Sequence, residues 1–456
     1  MQNVTPSQIE ICILAAGMGT RMKSDKPKVL HPIGGKPMLA HLLDTAAELN
    51  PKRVHVVIGS GADQVRSTFC DHDVNWVMQS EQKGTGHAVM QALPDIDPSS
   101  RVLILPGDGP LLELQTIRKL LDEVCDLGVL TVDQPHPFNY GRIIKDGDQL
   151  IQIVEERDAN ERQKEISEIN ASVMIASASS LDRWLSRITT GNAQQEYLLT
   201  DIVAMANNDK AIVRAIKTVN PNEVQGVNTF EQLAALESYY QRNIARGLME
   251  DGVHLVDPQR INLRGSLSTG RDVSIDVNCI FEGDVVLGNN VMIGANCTIS
   301  STRIGNNAVI KPNTMIDGAV IADDCSVGPF ARIRPGTTLA EQVAVGNFVE
   351  IKKSSLGKGT KSSHLTYLGD AIIGSEVNIG AGTITCNYDG VLKHITEIGD
   401  QVFVGSNSSL VAPVTIGEGS TIAAGSTITR EVSGKSLAIA RGRQKNLTNW
   451  KGPRDK

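Results

Sequence analysis

The chain has 456 residues, which at roughly 150 residues per domain allows two or three domains. Hydrophobic residues at 41% and charged residues at 21% exclude a disordered chain, and 44 Lys and Arg against 51 Asp and Glu leave a net charge of −7, a poor match to nucleic acid or anionic membrane. No apolar run approaches the ~20 residues that span a bilayer, and Met1-Gln-Asn-Val-Thr-Pro6 lacks the basic and apolar parts of a signal peptide, so a soluble, cytoplasmic protein is expected.

The first half reads as an α/β domain with a largely parallel sheet. Ile9 to Leu14 is a short apolar strand, and further strands are predicted at Val54–Ile58, Trp76–Met78, Val102–Leu105 and Val129–Val132. Helical patterns lie between them, as at Pro37 to Leu49 and Leu111 to Val124. Ligands on such sheets bind at the carboxyl ends of the strands. There the first strand runs into Gly17-Met-Gly-Thr-Arg-Met22, whose backbone N–H groups can cradle phosphate, with Arg21 and Lys28 adding two cations. Alone, this is a truncated glycine motif, equally readable as a glycine-rich turn with solvated cations.

Thr229-Phe-Glu-Gln232 is a capping box opening a linker helix over 230–250. Leu233, Leu236, Tyr240 and Ile244 mark one face of it, and Gly247 or Gly252 would end it. The helix thus divides the chain into a first domain over 1–229 and a second over 251–456.

That second domain is repetitive. Ile275, Phe281, Leu287, Ile293 and Ile299 fall six residues apart, as do Ile321, Val327, Ile333, Leu339, Val345 and Ile351, and again Ile398, Val404, Leu410, Ile416, Ile422 and Ile428. Two residues earlier sits a second inward position, usually small, as at Cys325, Ala331, Thr337, Ser408, Ser420 and Ser426. Three six-residue sides close a coil, and coils stack into a parallel β-helix. Its narrow interior explains why aromatics are only 4% while glycine reaches 42 residues. The seven cysteines have no Cys-x-x-Cys, and Cys279, Cys297 and Cys325 fall in small core slots, which argues for packing over redox or metal chemistry. The rhythm breaks twice, after Leu356 and after Ile379, and both departures carry polar residues suited to a binding face. From about Arg443 the chain is expected to be a polar tail.

Leu14-Ala-Ala-Gly-Met-Gly-Thr-Arg-Met-Lys-Ser-Asp-Lys-Pro-Lys28, with Gly35-Lys-Pro-Met38, Glu81-Gln-Lys-Gly-Thr-Gly-His87 and Gly107-Asp108, resembles the signature of the sugar-phosphate nucleotidyltransferases. With the repeats behind it, the chain resembles the bacterial bifunctional N-acetylglucosamine-1-phosphate uridyltransferase/glucosamine-1-phosphate acetyltransferase family from about residue 8 to Arg441. The resemblance implies a nucleotidyltransferase domain followed by a left-handed β-helix, UTP and acetyl-CoA as co-substrates, Mg²⁺, a homotrimer, and a place in peptidoglycan and lipopolysaccharide synthesis. Leu14, Ala15, Ala16, Gly17, Arg21 and Lys28 would bind the nucleotide, with Arg21 and Lys28 acting in catalysis. Gln79, Gly84 and Thr85 would read uracil beside Gly107. Asp108 and Asn228 would hold the metal, and Gly141, Glu155 and Asn170 the sugar.

In the second half the resemblance assigns glucosamine 1-phosphate to Arg334, Lys352, Tyr367 and Asn378. It assigns acetyl-CoA to Ala381, Asn387, Tyr388, Ser406, Ala424 and Arg441, and the general base to His364. A histidine in a polar loop is otherwise more often a solvated side chain. Met18, Pro106, Gly109, Ala171 and Ser172 depart from the family pattern. Two alternatives stay open: a chain with only the acetyltransferase active, and a non-catalytic scaffold subunit.

Overall fold

A computed structural model describes residues 9–454, so Met1 to Pro6 lie outside the described residues. The chain divides into two compact units, Met1–Tyr240 and Gln241–Lys456.

In the first unit the elements run β1 (Ile9–Leu14), β2 (Pro32–Ile33), β3 (Lys36–Pro37), α1 (Met38–Glu48), β4 (Arg53–Ile58), α2 (Ala62–Thr68), β5 (Asn75–Met78), α3 (Thr85–Ala92), β6 (Arg101–Pro106), α4 (Leu114–Asp122), β7 (Leu127–Asp133), β8 (Arg142–Asp146), β9 (Gln149–Val154), α5 (Glu161–Lys164), β10 (Glu168–Ser177), α6 (Ala178–Leu185), α7 (Ile202–Asn208) and β11 (Val213–Thr218). The main sheet has the order β11-β7-β10-β6-β1-β4-β5. Neighbours are parallel except β10, which is antiparallel to both β6 and β7. Both faces are covered. Ile11 and Ile13 pack in one layer with Leu39, Leu42, Val65 and Leu120, while Cys12 between them packs in the other with Val89, Trp184 and Ile202. Sheets buried on both faces are spelled as continuous apolar runs, which is why the strands near the centre were legible. β10 was not, because Asn170-Ala-Ser172 interrupts its apolar pattern; there the ladder with β7 shifts register and Ser172 takes a φ of 60°.

The capping box forms as expected: Thr229 Oγ1 accepts from the Gln232 N–H at 3.2 Å and Gln232 Oε1 accepts from the Thr229 N–H at 3.2 Å. The helix α8 that it opens is Phe230–Glu250. Gly247 lies inside it; the glycine that ends it is Gly252, at φ 91°.

The second unit is a parallel β-helix. One side of the coil forms an 11-stranded parallel ladder, and the other two sides run together in a 17-stranded one. The aliphatic residues at six-residue spacing are all buried, and so are the small residues two positions before them. The pairing explains why the hexads fall into three separate registers. Ile299 pairs with Ile316 and Leu339 with Leu356, seventeen residues on, whereas Ile333 pairs with Ile351, eighteen on. Sides of five residues, as from Ile299 to Ile304 or Ile351 to Leu356, shift the phase without opening the lattice.

One of the two expected breaks is therefore corrected. The stretch after Leu356 is not a loop: Lys361–His364 is a strand, with Val345, Ser362 and Ile379 stacked in successive coils. Thr360 fills the small slot and Ser362 the aliphatic one, both wholly buried. Serine in that slot hid the repeat. The second break is real. Ala371 pairs with Thr396, twenty-five residues on, and the extra residues leave the coil as a loop closed by a Tyr388–Lys393 bridge. Cys279 and Cys297 sit in successive coils, the Ile280 N–H donating to the Cys297 carbonyl at 2.9 Å, and burial pushes the Cys279 thiol up to about 12. After Ala438 the chain forms no further helix or strand among the described residues.

Candidate active sites

The carboxyl ends of β1 and β6 open into a cleft of about 530 Å³. It lies at a topological switch point, because the chain leaves β1 for β4 on one side and later returns to β6 on the other. Of the nucleotide-site residues expected from the sequence, Leu14, Ala15, Ala16, Gly17, Arg21, Lys28, Gln79, Gly84, Thr85, Asp108, Glu155 and Asn170 line it. Gly107, Gly141 and Asn228 stand in its supporting wall. The Gly107 N–H donates to the Leu14 carbonyl at 2.9 Å, and the Gly141 carbonyl accepts from the Asn170 N–H at 2.9 Å.

The loop after β1 folds back so that Gly19, at φ 62°, lies against Lys28, whose Cβ would be only 3.0 Å from any Cβ added there. Lys28 Nζ is thereby held on Asp108 Oδ2 and lies 3.1 Å from Asn228 Oδ1. Arg21 donates to the same Asn228 oxygen at 2.8 Å. Asn228 is fixed by its own backbone, whose N–H donates to Gln232 Oε1 at 2.7 Å as part of the helix cap, and the Val227 N–H bonds the Asp108 carbonyl at 3.0 Å. Two oxygens 120 residues apart in sequence thus meet on one cation.

At the other end, Gln79 is almost fully buried, and its Nε2 donates to the Gly84 carbonyl at 3.1 Å and to His87 Nδ1 at 3.0 Å. Both amide protons are spent, and Oε1 is left as an acceptor. Gly84 is required: at φ 112° a Cβ there would lie 2.5 Å from the Tyr197 carbonyl. The segment around Tyr197 forms the facing wall, pinned by Tyr197 N–H to Lys83 O at 2.8 Å and by Leu199 N–H to Thr85 Oγ1 at 3.1 Å. Asn170 Oδ1 accepts the Ser172 N–H at 3.0 Å, which leaves its Nδ2 as a donor. Thr200 Oγ1 donates to Glu155 Oε1 at 3.0 Å, while burial holds the Glu155 carboxyl above the usual carboxylate range. Gln82, Asn139, Gln194, Glu196 and Thr200 also line the cleft and were missed; Gln82 lies within the Glu81–His87 motif without having been singled out, and the others come from segments that carry no motif. Of the departures from the family pattern, Met18, Pro106 and Ser172 line the cleft, and Ala171 is buried in the sheet.

In the β-helix the expected acetyl-transfer residues fall into two groups. Continuing the ladder register, Asn347, His364, Ala381, Ser406 and Ala424 form one column along a corner. His364 Nδ1 lies 2.7 Å from Asn347 Oδ1, and Arg441 donates to the Ala424 carbonyl at 2.9 Å. Asn378 pairs with Lys361 of the previous coil and is exposed. On the adjoining side, Arg334 and Lys352 occupy equivalent positions of successive coils, with Tyr367 one coil further. Arg334 is paired with Glu350 at 2.8 Å. Asn387 is buried and donates to Asp370 Oδ2 at 2.5 Å, whereas Tyr388 is exposed. Lys393, on the inserted loop, was not foreseen: Lys352 beside it pushes its pKa down, so two ammonium groups converge where an anion would relieve them.

Residues 11–168 match the MobA-like NTP transferase domain, 263–355 the GMPPB C-terminal domain and 395–430 the bacterial transferase hexapeptide (six repeats). Fold and matches together define a nucleotidyltransferase fused to a left-handed β-helix transferase of the hexapeptide class. The chain is 53% identical to the bifunctional protein GlmU of Marinobacter nauticus over 98% of its length and 99% of the relative's. It is 53% identical to that of Cellvibrio japonicus and 50% identical to that of Idiomarina loihiensis, each again over 98% of this chain and 99% of the other. The chain belongs to the GlmU family, and is a bifunctional uridyltransferase and acetyltransferase. Among the described residues no helix is long and apolar enough to cross a membrane.

Proposed function

We propose that the enzyme first transfers acetyl from acetyl-CoA to glucosamine 1-phosphate, using residues 251–456, and then uridylyl from UTP to N-acetylglucosamine 1-phosphate, using residues 1–229, with 230–250 as linker. The observation that carries the second step is the convergence of Arg21, Lys28, Asp108 and Asn228 at the mouth of the cleft. A sugar-phosphate oxygen attacks the α-phosphorus of UTP, a P–O bond forms, and the bond to pyrophosphate breaks. No side chain need move a proton at that centre. The work is alignment and charge neutralisation, which Arg21 and Lys28 supply from a preorganised loop.

Asp108 and Asn228 fit magnesium, since their oxygens already share a cation, one carboxylate and one amide being the sparse protein contribution this ion accepts. Held there by Asp108 and Asn228, Mg²⁺ would supply positive charge to offset that of the phosphates. The Gln79 acceptor suits the N3–H of uracil, and the Asn170 donor and the Glu155 carboxyl suit sugar hydroxyl and amide groups.

In the acetyl step the amine nitrogen attacks the thioester carbonyl carbon and gives a proton to His364; the C–S bond then breaks and His364 returns that proton to sulfur, so CoA leaves as the thiol. The Asn347 carbonyl oxygen beside His364 Nδ1 selects the tautomer whose Nε2 lone pair is free to take that proton. Arg334, Lys352 and Lys393 supply positive charge for the substrate phosphate. Ala381, Ser406 and Ala424 offer a column along which the cofactor lies. Because His364, Asn378 and Tyr388 are exposed, a homotrimer in which a neighbouring β-helix covers them is the assembly proposed, working in the cytoplasm. The departures at Met18, Pro106 and Ser172 leave all four residues at the cleft mouth in place, which favours two working sites over one.

The test is to supply glucosamine 1-phosphate, acetyl-CoA, UTP and Mg²⁺ and follow CoA thiol and UDP-N-acetylglucosamine together. Asp108→Ala is expected to lose pyrophosphate release and keep thiol release, and His364→Ala the reverse. Loss of both activities in either folded variant would refute separate sites.

A further inference from the structure

We infer that Ser172 is a sugar-recognising residue of the nucleotidyltransferase cleft, its hydroxyl hydrogen-bonding the pyranose of the sugar 1-phosphate; this rests on the reading of that cleft given above. Ser172 stands where β10 loses register with β7, at φ 60°, in the left-handed region that residues with a side chain avoid and glycine occupies freely. Its neighbours Ala171 and Val173 are buried in the core of the sheet, so the side chain between them is turned out, and it lines the cleft with Asn170, Met174 and Glu155.

The turn is held by the Asn170 side chain, which accepts the Ser172 N–H at 3.0 Å. Asn170 and Ser172 are therefore one unit, one presenting an amide N–H and the other a hydroxyl. No hydrogen bond is made by Ser172 Oγ among the described residues, so the hydroxyl is unspent within the chain. Glycine would satisfy the backbone without strain. A strained, exposed serine that gives the fold nothing is what a ligand-contact position looks like.

Full-length Ser172→Gly and Ser172→Ala, assayed for uridylyl transfer, separate contact from structure. The first relieves the backbone and the second keeps its strain, but both lose the hydroxyl. Both are expected to raise KM for N-acetylglucosamine 1-phosphate about 3–10-fold and leave KM for UTP within about twofold, with the thermal midpoint of Ser172→Gly at or above that of the unaltered chain. An unchanged sugar-phosphate KM, an equal rise for UTP, or a KM rise accompanied by a lowered midpoint in Ser172→Gly would overturn the inference. Absence of uridylyl transfer in the unaltered chain would instead overturn the reading of the cleft beneath it.

Discussion

Asn347 and His364 occupy equivalent positions of successive coils, and the imidazole Nδ1 meets the amide oxygen at 2.7 Å. An amide oxygen only accepts, so Nδ1 carries the proton and Nε2 faces outward as a base. Asn347→Ala is expected to lower kcat for acetyl transfer about 10–100-fold, the usual cost of losing the partner that orients a working imidazole, and to leave uridylyl transfer untouched. Stopped assays of each half-reaction check it. A variant with undiminished acetyl transfer would mean that the ring is oriented by something else.

Glu155 gives a pH signature. Burial raises its folded pKa above the unfolded value of about 4.3. Below that value both states are protonated and the site costs nothing. As pH rises through the folded pKa, the unfolded chain ionises more readily and stability is lost. Glu155→Gln, which keeps the oxygen that accepts from Thr200, should therefore be the more stable protein at pH 7–8, with the difference vanishing as pH falls toward 4. Denaturant midpoints across that range measure it, and parallel curves would refute it. The same variant should bind the sugar phosphate less well.

Ser362 fills a slot built for an aliphatic side chain, between Val345 and Ile379, with its hydroxyl buried and unpaired. Ser362→Val adds apolar contact and removes an unsatisfied group, and should stabilise the β-helix by about 1–2 kcal/mol. Unfolding followed in the full chain checks this, with acetyl transfer expected to stay within about twofold. A destabilised variant would show that the slot has tightened around serine.

These residues also mark what the sequence discloses. Periodic burial is legible because it repeats: the hexads from Ile275 and the strand Ile9–Leu14 each announce themselves by spacing. A single polar residue inside a period erases the signal, which is how Ser362 turned a strand into an apparent loop and Asn170 hid β10. The capping box was visible, but not that its Gln232 also holds Asn228 at the cleft. Resemblance placed Asp108 and Asn228 together, and geometry supplies the Lys28 ammonium between them. The Tyr197 wall was invisible because it joins segments more than a hundred residues apart, through main-chain bonds to Lys83 and Gly86 and a single side-chain bond to Thr85, and no local motif signals that meeting.

The stacking of the coils sets a reading frame for insertion and deletion. Each coil rests only on its neighbours, and position around the axis is counted in sides. Loss of a whole turn of 17 or 18 residues shortens the rod but returns every downstream residue to its own face. Loss of a single side carries everything beyond it one face onward, so a cut between His364 and Ala381 would part the base from its column while every strand still found a partner.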